Sequence, residues 1–223
     1  MRKAFISPTK YVQGENELLN LGYFVSTFGK TGLVIAHKDD VARVQKQLDE
    51  TQKKFNIELT VSTFNGECTR EEIKRLQEEA KANKSDCIIG LGENLIIVPT
   101  IAATDAPTSH SAVIYYADGT FDDYAYFKQS PSVVLVDTTI IAKAPARFLA
   151  AGIGDALSTY FEARANSYSY ANSNAGLPMG VREGLTEGAK PTIAAQVLAK
   201  TCYDVILEYG EQAMIACEQG VVT

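Results

Sequence analysis

The sequence predicts an α/β domain built on a parallel sheet over residues 1–143, followed by an all-α domain over residues 144–223 that ends before it is complete. Short apolar runs alternate with polar amphipathic stretches as far as Ile89, which is the βαβ pattern. After Pro145 the β-branched residues thin out, and Phe148, Leu149, Ile153, Leu157 and Phe161 recur three or four residues apart, the spacing of a helix face. Between these regions an apolar run from Leu95 to Val98 stops at Pro99-Thr100. It opens into Ile101-Ala102-Ala103-Thr104-Asp105-Ala106-Pro107-Thr108-Ser109, a loop of small residues, hydroxyls and one acid. In an open α/β sheet, ligands sit in the crevice beyond the C-terminal strand ends, and this loop is predicted to lie there.

Taken in order, Leu33-Val34-Ile35-Ala36 forms the first predicted strand, and residues 40–54 the helix that follows it. Ile57-Glu58-Leu59-Thr60-Val61 alternates with period two and forms the second strand. Thr69-Arg70-Glu71-Glu72 opens a charged helix that reaches about residue 83. Thr69 and Glu72 are spaced as a capping box, in which each side chain satisfies a backbone donor of the other. Cys87-Ile88-Ile89 is the third strand. Only Gly90-Leu91-Gly92-Glu93-Asn94 precedes the strand at 95–98, whereas a parallel crossover with its helix takes about 10–12 residues. Either the two strands form a hairpin or a crossover helix is absent. Gly90-Leu91-Gly92 begins like a dinucleotide loop, but the third glycine of G-x-G-x-x-G is missing.

Further on, residues 112–116 and 124–127 flank Asp118-Gly119, a hairpin signal, and residues 132–137 form another inner strand. Residues 166–191, rich in Ser, Asn, Tyr and Gly, are expected to make a long surface loop with at most a short helix. An amphipathic helix over 193–209 and the start of another over 211–222 complete the expectation.

With 223 residues and 46% apolar content, the chain can bury a substantial core. A net charge of −6 argues against a nucleic-acid partner, which needs clustered Lys and Arg. No stretch reaches the apolar length of a membrane span, and the N-terminus lacks a secretory apolar region, so a cytoplasmic location is expected. Cys68, Cys87, Cys202 and Cys217 are widely spaced and predicted to be reduced thiols. The only histidines, His37 and His110, exclude a three-histidine metal site.

Candidate chemistry concentrates on a few residues. Asp155 stands between Gly154 and Ala156, small neighbours that let a carboxylate reach a crevice or a cation; it is equally suited to cap a helix. Asp105 can accept a hydrogen bond from a substrate hydroxyl, or form an Asx-turn ahead of Pro107. Thr100, Thr104, Thr108, Ser109 and Ser111 offer hydroxyls suited to phosphate or ribose, or to their own backbone. His37 follows the first predicted strand, where a Rossmann-like fold often places an acid for the adenosine ribose; otherwise it is a surface histidine.

Several longer motifs make the chain recognisable: Ser7-Pro8-Thr9-Lys10-Tyr11-Val12-Gln13-Gly14, Phe64-Asn65-Gly66-Glu67-Cys68, the run from Val98 to Pro107, Val136-Asp137-Thr138, Ala144-Pro145-Ala146-Arg147 and Gly152-Ile153-Gly154-Asp155-Ala156-Leu157. In this order they closely resemble the NAD-dependent, zinc-containing glycerol dehydrogenases of the iron-containing alcohol dehydrogenase superfamily. The resemblance implies a Rossmann-like α/β nucleotide domain, a helical metal and substrate domain, and a polyol oxidised between them by hydride transfer to NAD. It implies Asp155 as a zinc ligand, Asp105 as a catalytic, substrate-contacting residue, and Thr100, Ser109 and Tyr115 as cofactor-lining positions, to which the loop adds Thr104. Zinc would polarise the alcohol oxygen so that hydride can leave the adjacent carbon.

The chain departs from that pattern at defined places. The Gly-Gly-Gly-Lys-Thr loop that resembling proteins place after Gly92 is missing, and Glu93-Asn94 runs straight into the next strand. The two histidine zinc ligands belong to helices beyond Val221-Val222-Thr223, which leaves one expected ligand of three. His37 replaces an acid near the adenosine ribose. The expected function is therefore zinc-assisted oxidation of glycerol or a related vicinal diol by NAD, in a homo-oligomer. The alternatives are an inactive remnant that binds a nucleotide weakly or serves only in assembly, and a metal-independent binder using the Asp105 loop. A truncated helical domain is also expected to expose an apolar face that promotes association.

Overall fold

The computed structural model describes residues 10–90, 95–127, 130–169 and 192–222. Strands β1 (Tyr11–Gly14), β2 (Thr31–Ala36), β3 (Glu58–Thr63), β4 (Cys87–Ile89), β5 (Leu95–Ile97) and β8 (Val133–Asp137) form a six-stranded sheet in the order β1-β8-β5-β4-β2-β3. Every pairing in it is parallel. Strands β6 (Ser111–Tyr115) and β7 (Phe121–Tyr126) form a separate antiparallel hairpin, turned at Gly119 with φ 81°. The helices are α1 (Leu21–Val25), α2 (Lys38–Phe55), α3 (Arg70–Ala82), α4 (Thr138–Ala142), α5 (Ala146–Ser169) and α6 (Ile193–Gln219). Among the described residues no helix is long and apolar enough to cross a membrane.

Strand alternation decides which side chains meet which layer. Val34, Cys87, Ile89, Ile96, Val133 and Leu135 share one face and pack with Leu18, Leu21, Val25, Val44, Leu48 and Ile140, so the main core lies between the sheet and α1, α2 and α4. Burial pushes the Cys87 thiol there up to about 11, which makes it an unreactive core group. On the other face Ser62 Oγ lies 2.6 Å from Glu79 Oε2 of α3. The right-handed crossover rule puts any β4–β5 connecting helix on this same face as α3, because the chain steps across the sheet in the same direction. Ile35, Ile88 and Ile97 point to that face and are only half-buried. The pairing of Ile88 with Leu95 is parallel, so the hairpin alternative is excluded, and the five residues between β4 and β5 are too few for a crossover with its helix.

Asp137, 1% exposed, ties β8 to the turn after its neighbour β1 at one edge of the sheet. Its Oδ1 accepts from Asn16 N at 3.1 Å and Thr139 N at 2.9 Å, and its Oδ2 from Leu18 N at 3.0 Å. One carboxylate thus caps α4 and holds the turn after β1.

The predicted capping box is half realised. Thr69 Oγ1 accepts from Glu72 N at 3.2 Å, but Thr69 N donates to Glu67 O. The Glu72 carboxylate instead accepts from Arg75 Nη2 (2.6 Å) and Nε (2.8 Å) and from Asn65 N (3.1 Å) and Nδ2 (2.8 Å). The Arg75 guanidinium, helped by Asn65, outweighs burial and holds this carboxyl down to about 2. A depressed carboxyl contributes stability above its unfolded pKa and loses it as pH falls through the folded value. Because Arg75 stays partly in water, the expected contribution is roughly 1–2 kcal/mol, present at pH 6 and lost between about pH 4.5 and 2. Urea midpoints of wild type and Glu72→Gln at pH 6 and pH 3 check this; equal pH dependence in both would reject it.

Several boundaries differ from expectation. β1 and α1 were not anticipated; β1 carries Gln13 between its apolar residues and is only four residues long. α5 runs to Ser169, into the predicted loop, whose remainder (170–191) lies outside the described residues. The C-terminal segment is one helix, α6, rather than two. Gly210 is buried against α5, where a Cβ would make only an ordinary contact 3.9 Å from Ile153 Cδ1, and the helix runs straight through it. α5 and α6 run antiparallel, with Tyr160 and Tyr203 rings 4.9 Å apart and Gln196 Nε2 donating to Ser167 Oγ at 2.9 Å. The division expected near residue 143 falls between α4 and α5.

Candidate functional site

The loop leaving β5 at its C-terminal end crosses to α5 and meets it. Gly152 makes this approach possible: a Cβ there would stand 2.0 Å from Ala102 O. Three residues on, Asp155 Oδ2 accepts from Asp105 N at 3.1 Å, joining loop and helix. Asp155 lies well inside α5, so the capping alternative is overturned; the helix begins directly after Pro145. The Asx-turn alternative for Asp105 also fails. Its side chain caps no donor of the 3-10 turn Ala106–Thr108; Thr104 Oγ1 accepts from Ala106 N (3.3 Å), and Asp105 O accepts from Thr108 Oγ1 (2.8 Å).

Three carboxylates gather at this contact. Partial desolvation, then the Asp155 carboxylate and more weakly Glu162, raise the Asp105 carboxyl above its ordinary value; the residue itself stays exposed, so solvent screens much of the effect. Glu162 was not singled out from sequence, although its place seven residues after Asp155 puts both on one helix face. Ser158 stands between them, its Oγ 2.7 Å from Glu162 Oε1. Gly152 was likewise missed as a contact residue, since nothing local marks which helical glycine faces a backbone.

The remaining predicted residues are not gathered into one pocket. Thr100 lines a cavity of about 90 Å³ with Ile35, Ala36, Asp40, Gly90, Ile97 and Val98, at the ends of β2, β4 and β5. That volume is small beside the several hundred Å³ of ordinary ligand pockets. His37 caps α2, its Nδ1 accepting from Asp39 N at 3.4 Å. Ser109 Oγ accepts from Ser111 N at 3.1 Å and lies 3.0 Å from Ser111 Oγ, which serves the local turn. Tyr115 is half-buried at the end of β6, where its N–H donates to Cys68 O at 3.1 Å. Among the described residues no group of three or more His, Cys, Asp or Glu could hold a metal ion. Asp155 and Asp105 alone therefore do not fit a zinc centre, which takes three or four protein donors.

Sheet topology, strand-end loop and the long α5–α6 pair together define a Rossmann-like α/β protein with a helical C-terminal region. Residues 8–93 match the family described as iron-containing alcohol dehydrogenase. The whole chain aligns with the glycerol dehydrogenase of Pseudomonas putida at 40% identity over 239 positions, covering 62% of that protein. It aligns with the glycolaldehyde reductase of Halobacterium salinarum at 35% identity, covering 100% of this chain and 62% of that protein. The crystal structure of a probable glycerol dehydrogenase from Sinorhizobium meliloti 1021 superposes with a TM-score of 0.80 at 34% identity, over 100% of this chain and 62% of that one. The match to the iron-containing alcohol dehydrogenase family is carried by residues 8–93, and the chain spans less than two thirds of the length of these relatives. The Pseudomonas alignment has more positions than this chain has residues, so that enzyme carries residues with no counterpart here. The family match ends at residue 93, inside the shortened β4–β5 connection.

Proposed function

We propose that this chain is part of an oxidoreductase that oxidises glycerol, or a related vicinal diol, to the hydroxyketone by hydride transfer to NAD. The observation that supports it most is the Asp105 N to Asp155 Oδ2 hydrogen bond, which sets two carboxylates on facing elements beyond the strand ends. The alignment of the whole of this chain with part of a glycerol dehydrogenase supports the reaction class.

In this reading Asp105 accepts a hydrogen bond from a substrate hydroxyl and orients the diol. Thr100, Thr104, Ser109, Tyr115 and His37 line the path of the dinucleotide. Asp155 is the one zinc ligand this chain contributes; the described residues do not complete a centre, so no step is derived through the metal. The protein supplies geometry and the nicotinamide carries the hydride. A cytoplasmic place of action and self-association belong to the same proposal, the latter supported by exposed Val197, Leu198, Val205, Leu207 and Ile215 on α6.

The test is glycerol-dependent NADH formation by the purified protein. Asp155→Asn is expected to lower kcat/KM by about a hundredfold or more, with the folded circular dichroism spectrum retained. Turnover unchanged in that variant would overturn the role of Asp155. A second reading, a non-catalytic remnant, is favoured by the missing β4–β5 crossover and the incomplete donor set. Micromolar NAD binding by calorimetry without turnover at any zinc concentration is the result it predicts.

A further inference from the structure

A cavity of about 260 Å³ opens between the last turns of α5 and the first turns of α6, lined by Tyr160, Ala163, Arg164, Ser167, Tyr168 and Gln196. At about 1.5 Å per residue, Arg164 stands roughly 13 Å along the helix axis from Asp155, so this cavity is apart from the Asp105–Asp155 contact. Its lining holds the Arg164 guanidinium and no carboxylate, a local reversal of sign in a chain of net charge −6.

Among the described residues Arg164 has no ion pair and donates no hydrogen bond; its partner is the face of the Tyr160 ring, with Cζ 5.5 Å from the centroid. Arg43, Arg70 and Arg75, by contrast, each pair with a carboxylate. A guanidinium over an aromatic face keeps its N–H fork free, and that fork fits a carboxylate at two points. The walls are already set. Gln196 Nε2 donates to Ser167 Oγ at 2.9 Å, Ser167 Oγ donates to Ala163 O at 3.0 Å, and the Tyr160 ring packs 4.9 Å from that of Tyr203. A ligand therefore spends little on ordering them. Tyr168, 84% exposed, brings a second ring whose face is in water. The volume lies just under that of ordinary ligand pockets, which suits a single ring and excludes a dinucleotide.

We infer that this cavity is a binding site for a small aromatic carboxylate, with the carboxylate on Arg164 and the ring against Tyr160 and Tyr168. It is separate from the diol and dinucleotide positions of the proposed reaction and does not depend on that reading.

Calorimetric titration of the whole chain with benzoate, its neutral isostere benzamide and inorganic phosphate tests this. Benzoate is expected to bind with a Kd on the order of 0.1–1 mM, the range open to a ligand of about nine non-hydrogen atoms. Benzamide lacks the charge and phosphate the ring, so each should bind at least about tenfold more weakly. Arg164→Gln should weaken benzoate by about tenfold and leave benzamide unchanged. Arg164 is exposed, so the variant keeps the folded circular dichroism spectrum. Equal affinity for benzoate and benzamide, or benzoate binding untouched by Arg164→Gln, would overturn the assignment. Phosphate binding as tight as that of benzoate, or no benzoate binding up to about 10 mM, would overturn it as well.

Discussion

Asp137→Ala is expected to destabilise the protein by about 3 kcal/mol or more, the sum of a lost helix cap and buried N–H groups left without acceptors. The carboxylate accepts from Asn16 N, Leu18 N and Thr139 N within 3.1 Å, and it is 1% exposed, so water cannot replace it without opening the core. Asparagine offers a single acceptor oxygen and turns its NH2 toward one of the N–H donors, so Asp137→Asn is expected to fall between alanine and wild type. Urea unfolding at constant m-value measures both. A loss below about 1 kcal/mol in the alanine variant would mean that the three donors find other partners, contrary to this geometry.

Two glycines of α5 are expected to respond to the same substitution with opposite signs. At Gly152 an added Cβ stands 2.0 Å from Ala102 O and 2.9 Å from Ala102 C, both backbone atoms that cannot rotate away. Gly152→Ala must therefore push the loop off the helix, with an expected cost of about 1–3 kcal/mol. It should also part Asp105 N from Asp155, so any diol-dependent turnover falls with it. At Gly154 nothing lies within 4 Å of the added atom. Gly154→Ala should stabilise the helix by roughly 0.5–1 kcal/mol through the lower unfolded-state entropy of alanine. Thermal unfolding of the pair is the measurement. A Gly152→Ala protein as stable as wild type would show that loop and helix do not meet as described.

The legible part of the fold is the part held by local rules. β2, α2, β3, α3 and β4 announce themselves through period-two strands, charged amphipathic helices and a threonine cap, and each matches its predicted position to within a few residues. The Asp118-Gly119 turn likewise fixes the hairpin, because φ at Gly119 is positive and few other residues tolerate that. What escaped depends on distant partners. β1 is recognisable as a strand only once β8 is beside it, and α4 exists because Asp137 caps it. Gly210 read as a helix end since glycine is a poor helix former, but α6 continues through it along α5.

The candidate site divides in the same way. Loop composition picked out residues 99–109 without any resemblance, but it left two uses open for the hydroxyls, and those of Thr104, Thr108 and Ser109 bond to the loop's own backbone. That Asp105 meets Asp155 fifty positions later was legible only through family resemblance, because local spacing suited a helix cap equally well. The missing crossover could be counted directly from residues 90–94, while the choice between hairpin and parallel pairing needed the register of Ile88 with Leu95.

The register of Tyr11 with Val134 sets an order of events during synthesis. The edge strand leaves the ribosome early but has no neighbour until residue 137 has followed it, a wait on the order of ten seconds at translation rates. The β2-to-β4 segment can close over short separations in the meantime, leaving the N-terminal residues threaded onto a nearly finished sheet. Asp137 arrives with the strand that β1 needs, so the latch and the strand that seats β1 come out of the tunnel together.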